Sequence, residues 1–225
     1  GASKNIMELY LARYSKDIEI STARFANVAF SDGSLLHGFE RRLIKGQPIV
    51  APNDIERFFV TSKESGQLCL LSCLFGTNVD IFFPKITNEF KLTTFAEIAK
   101  RYLSEKGFTP IECSDENHAR SQATEKNFKQ RFWPCLFANS DTTGEKPFEE
   151  FYAESDGIDW DKFSNLGVIK NKSQVDEDKL DYFTNTINIL LERGSWQKED
   201  IIKLFNFTLP NFRHLDTGKY LDSKM

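Results

Sequence analysis

Arg57 stands in NDIERFFV, at the start of a short apolar run and beside two phenylalanines. A guanidinium carries five N–H donors in a rigid fork, so in this setting it suits a diphosphate. RFANVAFSDGS holds Arg24 and Asn27 where a strand gives way to a loop. Ligands of open α/β sheets sit outside the carboxyl ends of the strands, and an asparagine amide there can donate to a phosphate oxygen. Ser34 opens the next helix, whose free N–H groups favour anions. Lys146 follows a glycine turn in TTGEKPFEEF, and Lys4 lies in the first helical turn of GASK. A cation there is mildly unfavourable against the helix dipole. The chemistry that Arg57, Asn27 and Ser34 share is anion recognition. Each residue also has a plainer reading. Lys4 can be a solvated surface lysine, and Asn27 and Ser34 can be turn caps. Arg57 can pair with Glu56 or Asp54, and Lys146 with Glu149 or Glu150.

Helices and strands must hold these residues. ASKNIMELYLARYSK has helical spacing over 2–16, and the β-branched alternation of DIEISTA predicts a strand over about 18–24. Asp32-Gly33-Ser34 reads as a turn and N-cap, and LLHGFERRLIKG as a helix ending at Gly46. QPIVAPND is extended with a turn. ERFFVT reads as one strand, followed by KESGQLCLLSCLFG as a helix capped by Thr61 or Ser62 and closed at Gly76. VDIFFPK, FTPIEC and WPCLFAN read as strands, and TTFAEIAKRYLSEKG as a capped helix. SDENHARSQATEKNFKQ is polar and helical. From about 155 the pattern turns mainly helical, with DEDKLDYFTNTINILLERG and a helix capped by Ser195, and TGKYLDSKM reads as a tail.

The alternation indicates an α/β fold. The expected organisation is three consecutive stretches, 1–76, 77–154 and a mainly helical 155–225. A few parallel crossover units leave a sheet edge uncovered, so a further N-terminal portion is expected.

The 225 residues are 40% hydrophobic, with 21 Phe, enough for a sizeable core, and the net charge of −4 disfavours nucleic acid as partner. No apolar run approaches the roughly 20 residues of a membrane span. Cys69 and Cys73 are four apart in QLCLLSCLF, which puts them on one helix face, expected to be buried. With Cys113 and Cys135 they read as free thiols, fitting a reducing cytoplasm. The three histidines are scattered, and no metal site is expected. The sequence holds no paired catalytic carboxylates, no Ser-His-Asp set and no GxGxxG.

In their order GASKNIMELYL, STARFANVAFSDGSLLHGF, KGQPIVAPNDIERFFVT, ESGQLCLLSC and TTGEKPFEEF resemble the extended short-chain dehydrogenase/reductase superfamily. Within it the chain is most similar to the UDP-N-acetylglucosamine 4,6-dehydratases of bacterial polysaccharide and nonulosonic acid pathways. The likeness covers essentially all 225 residues and implies the C-terminal part of a Rossmann-like domain with substrate-loop insertions over 1–76, a substrate-binding α/β region over 77–154 and a mainly helical extension over 155–225. It implies that Lys4 is the lysine of a Tyr-x-x-x-Lys pair, in which Met often replaces Tyr. The partner would stand just before Gly1. The nucleotide-binding half, with its glycine-rich loop and acid/base segment, would then lie upstream, and this chain alone would be catalytically incomplete.

The resemblance further implies NAD or NADP as cofactor. The sugar C4 hydroxyl is oxidised, water is eliminated across C5–C6, and C6 is re-reduced, giving a 4-keto-6-deoxy sugar nucleotide. It assigns Lys4 to the nicotinamide ribose, with Phe25 and Ala26 near the nicotinamide. Asn27 and Arg57 go to the diphosphate, and Ser34 and Leu35 to the uridine. A UDP-sugar substrate, a homo-oligomer and a cytoplasmic location follow from the same likeness. An epimerase, or a non-catalytic piece that at most binds UDP-sugar, remains the alternative. The family carries Arg-Pro before GEK where this chain has Thr142-Thr143, so that phosphate contact is lost or supplied by Lys146. The stretch 108–140 is also longer than the common pattern.

Overall fold

The structure is a computed structural model that describes residues 2–86, 92–141, 150–170, 175–214 and 218. In chain order its elements begin with α1 (Ala2–Tyr14), β1 (Thr22–Ala23), β2 (Asn27–Val28), α2 (Leu35–Ile44) and β3 (Ile49–Pro52). Next come β4 (Glu56–Arg57), β5 (Phe59–Val60), α3 (Ser62–Phe75), β6 (Asp80–Pro84), β7 (Thr93–Thr94) and α4 (Phe95–Glu105). These are followed by β8 (Thr109–Glu112), α5 (Glu116–Gln122), α6 (Glu125–Lys129) and β9 (Phe132–Ala138). The chain closes with β10 (Ile158–Asp159), β11 (Leu166–Lys170), α7 (Glu177–Arg193) and α8 (Lys198–Thr208). This is a mixed α/β chain with parallel strand pairs, of Rossmann-like character. By contact it divides into two compact units that interleave along the sequence, where three consecutive stretches were expected.

The first unit comprises 1–23, 69–83 and 154–216. Its sheet runs β1-β6-β11-β10, with β1 parallel to β6 and β10 antiparallel to β11. β6 and the Gly167–Ile169 centre of β11 are buried, as continuous apolar runs covered on both faces should be. A Cβ on Gly167 would meet the Phe83 ring at 2.3 Å, so only glycine permits this approach. Asp80, at the head of β6, is 2% exposed. Lys170 Nζ donates to both its oxygens, at 3.0 and 2.8 Å, and Thr77 donates its N–H and hydroxyl to Oδ2 at 3.0 and 2.9 Å. Asp176 caps α7, which ends at Gly194 with φ 68°. Arg13 of α1 donates to Glu177 and Asp181 of α7, at 2.5 and 2.7 Å.

The second unit comprises 24–68, 84–153 and 217–225. Its main sheet is the parallel trio β3-β9-β8, with Ile49 facing Cys135 and Glu112 facing Cys135 from the other side. Pro134 sits in this central strand without breaking a ladder. Residues 131 and 135 bond towards β8, so the alternation turns Pro134 towards β3, where pairing starts one residue later. α4 packs on β3 and β8 through Phe95, Ala99, Tyr102 and Leu103, the i, i+4, i+7, i+8 face of an amphipathic helix. With Phe39, Ile49 and Trp133 these form the core, in which each large buried side chain contributes roughly 1.5–3 kcal/mol. Thr94 and Glu97 form a capping box at the start of α4.

Several expectations change. The strand over 18–24 is reduced to Thr22–Ala23, opposite Ile81 and Phe82; ahead of it the Ile20 carbonyl accepts from the Val79 N–H at 2.6 Å, but Ile20 donates its own N–H to the Asn78 side chain at 3.0 Å, so no regular ladder continues. ERFFVT is not one strand. It breaks at Phe58, 1% exposed, so that β4 pairs with β7 and β5 with β2. Cys69 and Cys73 are exposed; α3 buries Leu68 and Ser72 instead, and the helix is apolar on more sides than it covers. The region after 155 is not mainly helical from its start, since β10 and β11 complete the first unit's sheet. Gln197, not Ser195, caps α8, and the Ser195 carbonyl accepts from Arg193 Nε. The tail TGKYLDSKM lies outside the described residues save Gly218.

Candidate functional site

β2 and β5 lie side by side in parallel, Asn27 against Phe59 and Val28 against Val60. RFANV and ERFFV, some thirty residues apart in sequence, are therefore neighbours. The Asn27 N–H donates to the Phe58 carbonyl at 3.1 Å, next to Arg57. The Asn27 side-chain amide reaches the same carbonyl at 3.5 Å. Arg57 is half-buried in β4, opposite Thr93, and its Nη1 donates to the Glu56 carbonyl at 2.9 Å. Its expected ion pairing with Glu56 or Asp54 is not what the Glu56 contact provides, since that contact is to the backbone.

A third segment joins these two. At one end the Ser140 N–H donates to Asp54 Oδ1 at 2.8 Å, and the Asn53 N–H donates to the Ala138 carbonyl at 3.2 Å. At the other end Arg24 Nη1 donates to the Phe151 carbonyl at 2.7 Å, and the Phe151 ring lies 6.0 Å from that of Phe58. Phe151 is itself buried. Residues 142–149, with Lys146, Thr142 and Thr143, lie outside the described residues. Their two flanks are thus pinned to the segments that carry Asn27 and Arg57.

Ser34 caps α2, its hydroxyl accepting from the His37 N–H at 3.2 Å, so its turn-cap role is real and its helix N-terminus is formed. His37 Nδ1 accepts from the Gly33 N–H at 3.3 Å and lies 3.1 Å from Asp32 Oδ1. Leu35 is half-buried against the core, Ala26 is buried, and Phe25 keeps 41% of its surface exposed. Lys4 is exposed in the first turn of α1 and belongs to the first unit, whereas all the other candidates belong to the second.

A Ser-Asp-His grouping does occur at Ser114, Asp115 and His118, on the exposed start of α5. Ser114 Oγ donates to Asp115 Oδ2 at 2.8 Å, and the His118 backbone N–H donates to Asp115 Oδ1 at 2.9 Å. The His118 N–H, followed by the Ser114 hydroxyl, holds the Asp115 carboxyl below its usual range. A nucleophilic triad needs the histidine between serine and carboxylate. Here the carboxylate binds the serine directly and caps a helix, which is a structural task.

The first part of the chain, residues 1–128, matches the polysaccharide biosynthesis protein family. The chain belongs to that family. The matched span holds Lys4, Phe25, Ala26, Asn27, Ser34, Leu35 and Arg57, and stops short of Lys146. Among solved structures the chain is similar to the X-ray structure of Pen from Bacillus thuringiensis, with a TM-score of 0.55 and 19% identity. That likeness covers 78% of this chain and 49% of Pen, so the chain spans about half the length of its structural relative. At this identity the likeness is one of fold. No curated protein matches the chain. Among the described residues no helix is long and apolar enough to cross a membrane.

Sequence reasoning singled out Asn27 and Arg57 but missed the partners that assemble their surroundings. Asp54, Phe58, Ser140 and Phe151 carry no local signal for this task. Their contacts join residues about 90 to 130 apart, beyond what helical or strand periodicity encodes.

Proposed function

We propose that this chain binds a nucleotide-linked sugar, and that it serves a UDP-N-acetylglucosamine 4,6-dehydratase of polysaccharide biosynthesis. The observation that carries this reading is the convergence in one unit of 24–28, 54–60 and the flanks of 142–149. Membership of the polysaccharide biosynthesis family supports the substrate class. The resemblance to the 4,6-dehydratases supplies the reaction.

On this reading Arg57 grips the diphosphate. One of its five N–H donors goes to the Glu56 carbonyl, and a charged hydrogen bond to phosphate contributes about 1.5–3 kcal/mol. Asn27 orients the same group through its side-chain amide, whose 3.5 Å contact to Phe58 is long enough to exchange for a better acceptor. Ser34 is engaged as a cap, so α2 meets the uridine with its free N–H groups, and Leu35 contributes its packed side chain. The resemblance gives Lys146, outside the described residues, the remaining phosphate contact.

A bound nicotinamide cofactor, NAD or NADP, would supply the hydride chemistry at C4 and C6. The residues assigned to it fit unevenly: Lys4 and Phe25 are exposed, while Ala26 is buried and offers no side-chain surface. Lys4 would donate to the ribose hydroxyls. The C4 ketone makes the C5 proton acidic, and loss of that proton with the C6 hydroxyl releases one water.

Calorimetric titration of the chain with UDP-N-acetylglucosamine tests the binding claim. Saturable binding is expected, weakened about 10- to 100-fold in Arg57→Ala. An unchanged Kd in the variant overturns the assignment. For the whole enzyme the expected product is lighter than substrate by one water; a product of equal mass would make it an epimerase.

A further inference from the structure

ERFFVT leaves one partner strand for another at Phe58: Arg57 before it pairs with β7, and Phe59 after it with β2. Breaks of this kind re-aim the side chains beside them and recur next to functional sites. This one is held from two sides. The Phe58 carbonyl accepts from the Asn27 N–H at 3.1 Å. The Phe58 ring, 1% exposed, lies 6.0 Å from the ring of Phe151, itself 5% exposed, with 31° between their planes. Arg24 Nη1 in turn donates to the Phe151 carbonyl at 2.7 Å.

These contacts close a circuit within the second unit: Arg24 to Phe151, Phe151 to Phe58, Phe58 to Asn27, and Asn27 back to Arg24 along the chain. In a closed circuit each link limits the freedom of the next, so the break is fixed by all of them together. The first link suits an arginine. Arg24 is half-buried. A guanidinium is more weakly hydrated than an ammonium, so it loses less on burial, and its bond to a carbonyl is charge-assisted. A loop carbonyl needs a donor in any fold, and that alone would make Arg24 structural. The carbonyl it takes, however, belongs to the residue whose ring packs on Phe58, next to Arg57.

We propose that Arg24 is a positioning residue for Arg57. It fixes Phe151, the Phe151 ring holds the break at Phe58, and the break sets where the Arg57 guanidinium meets the diphosphate. Arg24 acts through Phe151 rather than by gripping the ligand itself. A shift of about 1 Å in a binding group is enough to cost much of its contribution, which is why a residue at this remove matters. The inference rests on the sugar-nucleotide reading and adds to it the device that aims its main cation.

NMR titration with UDP, and with uridine, which lacks the phosphates, tests this. In Arg24→Met and in Phe151→Leu the affinity for UDP is expected to fall about tenfold, while that for uridine stays as in the parent chain. Added to Arg57→Ala, Arg24→Met should weaken UDP no further, because the group it positions is already gone. Without ligand, the Asn27 amide should exchange faster in both variants. The Cys113 amide, bonded to the Cys135 carbonyl at 2.8 Å in the β3-β9-β8 sheet, should exchange at the parent's rate. The proposal is overturned if Arg24→Met binds UDP as the parent chain does, or weakens it further in the Arg57→Ala background. Equal losses for UDP and uridine would make Arg24 structural and overturn it too, as would unchanged exchange at Asn27. A parent chain that binds no UDP, or an Arg57→Ala variant that binds it undiminished, would overturn the sugar-nucleotide reading and this proposal with it.

Discussion

Replacing Lys170 by Met should loosen the first unit's sheet more than the loss of an ordinary surface lysine. Asp80 is 2% exposed and accepts from Lys170 at 2.8 and 3.0 Å, as well as from the N–H and hydroxyl of Thr77. Removing one partner of a fully buried pair costs about 3–5 kcal/mol, because the other charge is left uncompensated. Lys170 is 36% exposed and the Thr77 donors remain, so water screens the pair and the expected loss falls to about 1–3 kcal/mol. Asp80→Asn combined with Lys170→Met should cost less than the sum of the two single changes.

The acid limb carries a second signature. Burial raises the Asp80 carboxyl, but Lys170 and then the two Thr77 donors outweigh it and set the carboxyl below its ordinary 3.8. A carboxyl depressed in the folded state adds stability above its unfolded pKa, and that contribution fades as pH falls through the folded value. In Lys170→Met the depression shrinks. The variant's deficit relative to the parent chain should therefore be full at neutral pH and narrow below about pH 4. Native-state hydrogen exchange at the Ile81, Phe82 and Val168 amides reads this locally, without assuming that the two units unfold together. A loss under about 0.5 kcal/mol at pH 7, or a deficit that does not narrow in acid, would refute the reasoning.

Gly167→Ala should destabilise the same sheet by about 1–3 kcal/mol, because the new Cβ meets the Phe83 ring at 2.3 Å and that ring is fully enclosed; a variant with unchanged hydrogen exchange would contradict the packing described. Cys69 and Cys73 should react with an aromatic disulfide reagent within minutes in the folded chain, while Cys113 and Cys135 react only on unfolding. Burial pushes the Cys135 thiol up to about 12, and burial likewise raises Cys113, so neither offers thiolate at neutral pH. Four equally fast thiols would show that the β3-β9-β8 core is open.

The helix ends were legible because capping is local. Ser34, Asp176 and the Thr94–Glu97 box each satisfy an orphan N–H within three residues; Ser34 is the cap the sequence named, whereas the cap expected at Ser195 falls two residues later, at Gln197. Thr61 and Glu64 do the same ahead of α3. Binary pattern likewise marked β6, β8 and β9, whose apolar runs are bounded by turn residues. The anion-recognising residue types were visible too, as were their positions after a strand or at a helix start.

What the tertiary structure alone decided is which segments meet. LGVIK is too short to be told from a loop until Phe83 demands a glycine opposite its ring and Asp80 a lysine at the strand's far end. Nothing in ERFFVT marks Phe58 as the break; Phe151, more than ninety residues on, supplies the ring it packs against. An apolar α3 implied buried cysteines, yet the side it covers is set by which neighbours the chain brings to it. Local bonding is written in neighbouring residues, whereas long-range pairing depends on the mutual fit of surfaces that no short window contains.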